Sequence, residues 1–341
     1  MTRPNMDVVG IGNAIVDVIA HAEDSFLVDH ALAKGTMSLI DAAQAEALYG
    51  AMGGGVEVSG GSAANTMVGL ALLGGEASYV GKVGEDILGG VFGHDIDAAG
   101  VRFETSASTH GAPTARCLIL VTDDGQRTMN TYLGACVELG PDDIDEAFIA
   151  AAKITYMEGY LWDPPGAKQA FLKAQGIAAA HGRRVSLSLS DPFCVERHRA
   201  ELRDLVERHV DILFANEEEI LSLYQVKDFD AALQQVSNHC EIAALTRGEH
   251  GSVVVGQGEI HVIGASPVAR VKDTTGAGDL YAAGFLYGIT HDFDLARCGR
   301  LGALAAGEII SHFGPKPKSD IAQLVSASAR PLATSSTAIT H

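Results

Sequence analysis

The segment Asp273-Thr274-Thr275-Gly276-Ala277-Gly278-Asp279 runs directly into an apolar pattern of helical spacing from Leu280 to Ile289. Small residues at a helix start leave backbone N–H groups facing outward, where the partial positive charge of the helix favours an anion. A phosphate-sized nest built from the amides of Gly276, Ala277 and Gly278 is expected there. The carboxylate of Asp279, one residue later, could take a proton from a hydroxyl while those amides stabilise a transferring phosphoryl group. A glycine-rich turn closed by an aspartate is the structural alternative, and the segment alone leaves both open.

Other glycine motifs fail on inspection. Gly10-Ile11-Gly12-Asn13-Ala14-Ile15 begins like a dinucleotide fingerprint, but Ile15 stands where the third glycine is required. Gly81-Lys82 is followed by Val83 and has Glu76 at the first glycine position, so no P-loop exists. Taken alone, Asn216-Glu217-Glu218-Glu219 is an acidic helix start and Asp17 a turn aspartate. Five cysteines without a CxxC pair and scattered histidines without HExxH suggest neither a zinc cage nor a disulfide framework.

The elements that must position these groups alternate between short apolar runs and longer amphipathic stretches, the pattern of βαβ units with a mostly parallel sheet. Val8 to Ile11, Ile154 to Met157, Val185 to Leu189, Ile212 to Phe214 and Ile242 to Thr246 read as buried strands, each ending near a turn of the kind where open α/β sheets bind ligands. Gly166 to His181 and Arg197 to His209 read as helices. Within Thr105 to Tyr132, the strands Cys117 to Val121 and Arg127 to Tyr132 flank the turn Asp123-Asp124-Gly125, part of a small β lid. A second lid piece is expected from the Val16 to Val58 region, so that the lid is discontinuous, about 16–58 and 105–133. The chain from 1 to 330 is expected to form a single unit, and the Ser-, Ala- and Thr-rich tail after Leu324, above all 331–341, to be frayed.

With 24 Lys plus Arg against 43 Asp plus Glu, the formal net charge of −19 argues against a nucleic-acid partner held through its phosphates. No run approaches the roughly 18 apolar residues of a membrane span, and the amino terminus has no signal-peptide pattern, so a cytoplasmic setting without a membrane partner is expected.

The Asp273 to Asp279 segment resembles the C-terminal signature of the ribokinase-like sugar and nucleoside kinases, the PfkB family, and Gly60-Gly61-Ser62-Ala63-Ala64-Asn65 before a helix from Thr66 to Leu73 resembles its N-terminal signature. The fold implied is α/β, a ribokinase-like central sheet flanked by helices, with a β lid over the substrate. Within the family, Gly12-Asn13-Ala14-Ile15-Val16-Asp17, Ser188-Leu189-Ser190-Asp191-Pro192-Phe193 and Val210 to Phe214 are most similar to the adenosine kinases.

The resemblance implies Asp279 as catalytic base, Asp17 as acceptor for two sugar hydroxyls, and Asn13, Gly61, Ser62 and Asn65 around the sugar. It implies Asn216 and Glu219 near Mg²⁺, partly through water, with Asn216, Thr246, Gly248 and Thr275 toward ATP. It implies a monovalent cation, K⁺, beside Asp273 and Thr275, with its other half near Ser311 to Gly314, and Arg127 reaching the transferred phosphate. The implied reaction is ATP plus a nucleoside, adenosine before others, with a sugar kinase or a non-turning ligand sensor as rivals. Partners are the small-molecule acceptor and ATP, with a homodimer through lid strands as one family option. Met129-Asn130-Thr131-Tyr132-Leu133 reads as too polar for an adenine clamp, and Glu158-Gly159-Tyr160-Leu161-Trp162 as aromatic enough to help stack a base, with Glu158 leaving room for another substrate.

Overall fold

The computed structural model describes residues 5–109 and 111–330, so the 331–341 tail lies outside the described residues. Two compact units emerge: one holds residues up to Val68 with Ala77–Arg183, the other Gly69–Glu76 with the residues from Arg184 onward.

In the first unit the strands are β1 (Met6–Ile11), β2 (Ile15–His21), β3 (Met37–Leu39), β4 (Val56–Gly60), β5 (Ala77–Val80), β6 (Val101–Phe103), β7 (Ala115–Val121), β8 (Arg127–Tyr132) and β9 (Ala152–Glu158). Strands β9, β1, β5 and β6 lie side by side and run parallel. Their apolar runs are buried on both faces, as parallel strands covered by helices must be. The other five form a smaller sheet in the order β3-β8-β7-β2-β4. It is mixed: β2 runs parallel to β7 and antiparallel to β4, and β7 antiparallel to β8.

In the second unit β10 (Arg184–Ser188), β11 (Ile212–Asn216) and β12 (Ile242–Thr246) are parallel, and β13 (Ser252–Gly256) and β14 (Glu259–Ile263) continue the sheet antiparallel. The antiparallel pair is absent from the sequence expectation, because Val253 to Val255 is a short apolar run like any parallel strand and only its two-residue Gln257-Gly258 turn marks a hairpin.

Two boundaries differ from expectation for identifiable reasons. The helix expected from Arg197 begins at Pro192, where Asp191 accepts from Phe193 N at 2.7 Å and proline supplies a first helical residue with no N–H to satisfy. The chain after Leu324 is not frayed at once: Ala322–Ala327 is helical, and Arg300 Nε donates to the carbonyl of buried Ser328 at 2.9 Å. Among the described residues no helix is long and apolar enough to cross a membrane.

Candidate active site

Gly276 caps the helix Ala277–Thr290 with φ 78°, in the left-handed region that an L side chain avoids. Asp279 stands in the first turn of that helix. Ala277 N–H is spent on the carbonyl of Thr274 at 3.2 Å, which narrows the expected three-amide nest. The amides of Gly276 and Gly278 have no acceptor among the described residues, and a Cβ placed on Gly278 would meet nothing within 4 Å. Two amides, with open space around Gly278, and a neighbouring carboxylate can stabilise an anion while a proton leaves.

Asp273 holds this turn in shape. One of its oxygens accepts from Thr275 N at 3.1 Å and the other from Gly314 N at 3.0 Å, which brings the Ser311 to Gly314 stretch to the place where a cation half-site was expected.

The ends of β11 and β12 carry the second group. Asn216 and Thr246 are direct partners across the two strands. Asn216 caps the helix Glu217–Tyr224 in a reciprocal box: its Oδ1 accepts from Glu219 N at 2.9 Å, while Glu219 accepts from Asn216 N at 2.9 Å and from Asn216 Nδ2 at 2.6 Å. Glu219 is 5% exposed. Burial pushes its carboxyl up to about 7, with the negative charges of Asp191 and Glu218 adding to the effect against the lowering bond from Asn216. Asp191, on the turn after β10, is thus part of this electrostatic group. Arg247 clamps Glu217 with two bonds at 2.9 and 3.2 Å and so ties the exposed Gly248 turn to the acidic helix start. Thr246 pairs with Ser252, whose Oγ lies 2.8 Å from Tyr281 Oη, and this joins the strand ends to the Asp279 helix.

The donors near Glu219 do not make a protein cage. Among the described residues the one compact set of three His or carboxylate ligand atoms is His21, Glu23 and Asp123, at the exposed edge of the small sheet. Glu219, whose charged form burial and the neighbouring Asp191 and Glu218 disfavour, would gain charge as a hydrated Mg²⁺ arrives on phosphates, and its oxygens suit the waters of such an ion.

In the first unit, Glu158 is fully buried and accepts from Asn13 N at 2.7 Å and Ala63 N at 2.6 Å. It is therefore not free to face a substrate. Its two oxygens lock the β1–β2 turn against the start of the helix Ser62–Leu72, so that Asn13, Gly61, Ser62 and Asn65 come together. Gly61 adopts φ +93°, and a Cβ there would sit 2.2 Å from Asn13 O. Asp17 packs on the same turn, its carboxyl carbon 2.5 Å from where a Cβ on Gly60 would be.

Register in the small sheet decides which residues accompany Asp17. Leu39, Thr131, Cys117, Asp17 and Val58 are paired in one row across the five strands, and paired residues share a face. The next row on that face is Met37, Met129, Ile119, Ile19 and Val56. Arg127 follows one row further, with Val121 and His21. Asn130 and Thr128 point the other way, together with Arg116, which pairs with Glu46 at 2.8 Å and stacks on Tyr49 of the helix Ala42–Ala51. Of the polar residues in the Met129 to Leu133 stretch, Asn130 and Tyr132 thus belong to the opposite, helix-covered face, and Thr131 stays in the Asp17 row. Burial first, then the Asp17 charge, pushes the Cys117 thiol up to about 12, while Thr131 and the Arg127 charge pull it down. Both charged groups consequently act at Cys117. Sequence reasoning missed Met37, Leu39 and Ile119, whose only signal is strand alternation read together with a pairing register.

A family description, pfkB family carbohydrate kinase, matches residues 28–322. The structure is similar to that of an adenosine kinase from Sinorhizobium meliloti, with 53% identity, coverage of 95% of this chain and 99% of that one, and a TM-score of 0.87. It is also similar to a probable sugar kinase from Rhizobium etli, with 51% identity, 96% and 99% coverage, and a TM-score of 0.88. A 5-dehydro-2-deoxygluconokinase from Geobacillus kaustophilus is 28% identical over 74% of this chain and 78% of its own length.

Proposed function

Since the chain belongs to the pfkB family of carbohydrate kinases and is a phosphotransferase with a hydroxyl acceptor, we propose that its acceptor is a nucleoside, adenosine before others, phosphorylated on its 5′-hydroxyl by ATP. The observation that carries this is the small-sheet face around Asp17. One carboxylate, with Thr131 and Cys117 in its own row, lies among Leu39, Val58, Met37, Met129, Ile119, Ile19 and Val56, which suits a ligand with hydroxyls at one end and a flat apolar ring at the other. A free sugar would leave that apolar area unused.

In the proposed reaction the 5′ oxygen forms a bond to the γ-phosphorus as the bond to the ADP oxygen breaks, and Asp279 takes the hydroxyl proton. Gly276 and Gly278 donate their amides to the transferring group. Asp17 accepts from two ribose hydroxyls, with Asn13, Gly61, Ser62 and Asn65 completing the sugar site and Arg127 meeting the phosphate. Glu219 and Asn216, with Asp191 nearby, would hold Mg²⁺ through water, and the ion would supply charge neutralisation on the phosphates. Thr246, Gly248 and Thr275 are assigned to the nucleotide. A monovalent cation is assigned to Asp273 and Thr275, beside the turn that the two amide bonds to Asp273 hold in shape.

Arg127 favours a second acceptor, a sugar acid, because its guanidinium leaves from the same face as Asp17 and could take a carboxylate. An ADP-release assay over adenosine, inosine, ribose, fructose and 5-dehydro-2-deoxygluconate separates the two. Adenosine is expected to exceed every free sugar in kcat/KM by on the order of 10²-fold, the worth of a buried apolar ring. Turnover of a free sugar or sugar acid alone would overthrow the nucleoside assignment.

A further inference from the structure

The turn that carries Gly276 is backed by a loop following the helix Leu295–Ile309. Lys272 N donates to Ile310 O at 2.9 Å, Gly314 N donates to Asp273, and a Cβ on Gly276 would come to 3.4 Å from the Pro315 backbone. The loop then returns to its own origin. Glu308 Oε1 accepts from Lys318 N at 3.1 Å, Ser319 N at 3.0 Å and Ser319 Oγ at 2.8 Å, and lies 3.2 Å from His312 Nε2. Glu308 Oε2 is buried without a hydrogen-bond partner among the described residues. Burial opposes the charge of this carboxyl, but the donors of Ser319, His312 and Lys318 outweigh it and hold the group below the usual carboxylate range.

We infer that Glu308 is a positioning residue: by gathering 312, 318 and 319 onto one oxygen it closes the loop that presses Gly314 and Pro315 against the Asp273–Asp279 turn. A loop of this length has many open conformations, and only a strong local closure selects the one that reaches Asp273. Charge-assisted acceptance from several donors by one carboxylate is such a closure. Loosening it displaces the amides by a fraction of the distance over which phosphoryl transfer is sensitive, so the chemical step suffers before substrate binding does. The inference rests on the proposed function for its effect on turnover, and on the hydrogen bonds alone for its effect on the turn.

The test compares Glu308→Ala, Glu308→Gln and Asp228→Ala, the last removing an unrelated cap from the helix Phe229–Val236. Two readouts are taken, kinetics on adenosine with ATP and amide hydrogen exchange across 273–279. Glu308→Ala is expected to lower kcat on the order of 10- to 100-fold with acceptor KM within about threefold, and to speed exchange across the turn. Glu308→Gln keeps an Oε1 acceptor but gives up the charge, so its kcat and its exchange across the turn should fall between wild type and the Ala variant. Asp228→Ala should move neither readout. Unchanged exchange in Glu308→Ala overturns the inference, and so does a Gln variant as impaired as the Ala one. Should Glu308→Ala not fold, Ser319→Ala removes one of the bonds to Glu308 Oε1, that of its hydroxyl, more gently, and its exchange at 273–279 decides in the same direction. If wild type turns over no acceptor, the proposed function falls, while the exchange comparison still decides the role of Glu308.

Discussion

The Asp273–Asp279 turn and the Asp17 face of the small sheet solve the same problem, placing a carboxylate beside recognition groups, by opposite means. In the turn, seven consecutive residues supply the candidate base, the amides and the staple that shapes them. On the sheet, Asp17 acquires its neighbours from its own strand and from four others drawn from the chain between Met37 and Tyr132. The first arrangement depends on local backbone geometry and tolerates little side-chain change. The second depends on register, so that a slip of one residue would turn every member of the face away.

The largest expected effect falls on the turn. Asp279→Asn should lower kcat by about 10²–10⁴-fold with little change in acceptor KM, measured by steady-state ADP release. Retained activity within about tenfold would remove the base from the local half of the comparison.

Next comes Glu219. Its carboxyl is raised to about 7 in the folded chain from an ordinary 4.5, so the folded state keeps an extra proton between those pH values. The unfolding free energy should therefore fall as pH rises through that window and level off above about 7, by on the order of 3 kcal/mol in total. Urea denaturation in EDTA at pH 5 and pH 7.5 checks it, with Glu219→Gln expected to flatten the difference. An unchanged slope in that variant would assign the pH dependence elsewhere.

Glu158→Gln tests what assembles the sheet side. It sets an amide donor against Asn13 N or Ala63 N, both of which now donate to the carboxylate, and should cost about 2 kcal/mol by urea midpoint and raise acceptor KM. The smallest expected effect probes the face itself. Met129→Lys should raise the adenosine KM about tenfold and leave any ribose turnover unchanged, whereas equal losses for both would mean that the apolar row does not touch a base.

Legibility in the sequence follows the same division. The strands Val8 to Ile11 and Ile242 to Thr246 and the helix after Gly278 were readable because an apolar run and a periodic face are local signals. Glu158 was misread because a carboxylate at the end of Tyr156-Met157 carries no mark of the two amides that will surround it, one far before it in the chain and the other at Ala63. Asn130 counted as substrate-facing polarity until pairing with Leu118 put it on the face opposite Asp17.

From its residues alone the chain determined a glycine turn opening a helix, with an aspartate in its first turn, and the alternation of strand and helix, since backbone dihedrals and short-range periodicity need no distant partner. Tertiary structure alone decided which side chains stand beside Asp17, that Glu158 is a brace, and that Glu308 closes a loop behind the turn. The first two depend on strand register and on hydrogen bonds between segments widely separated in the chain; the last joins residues 4 to 11 positions apart across a loop that has no periodic pattern.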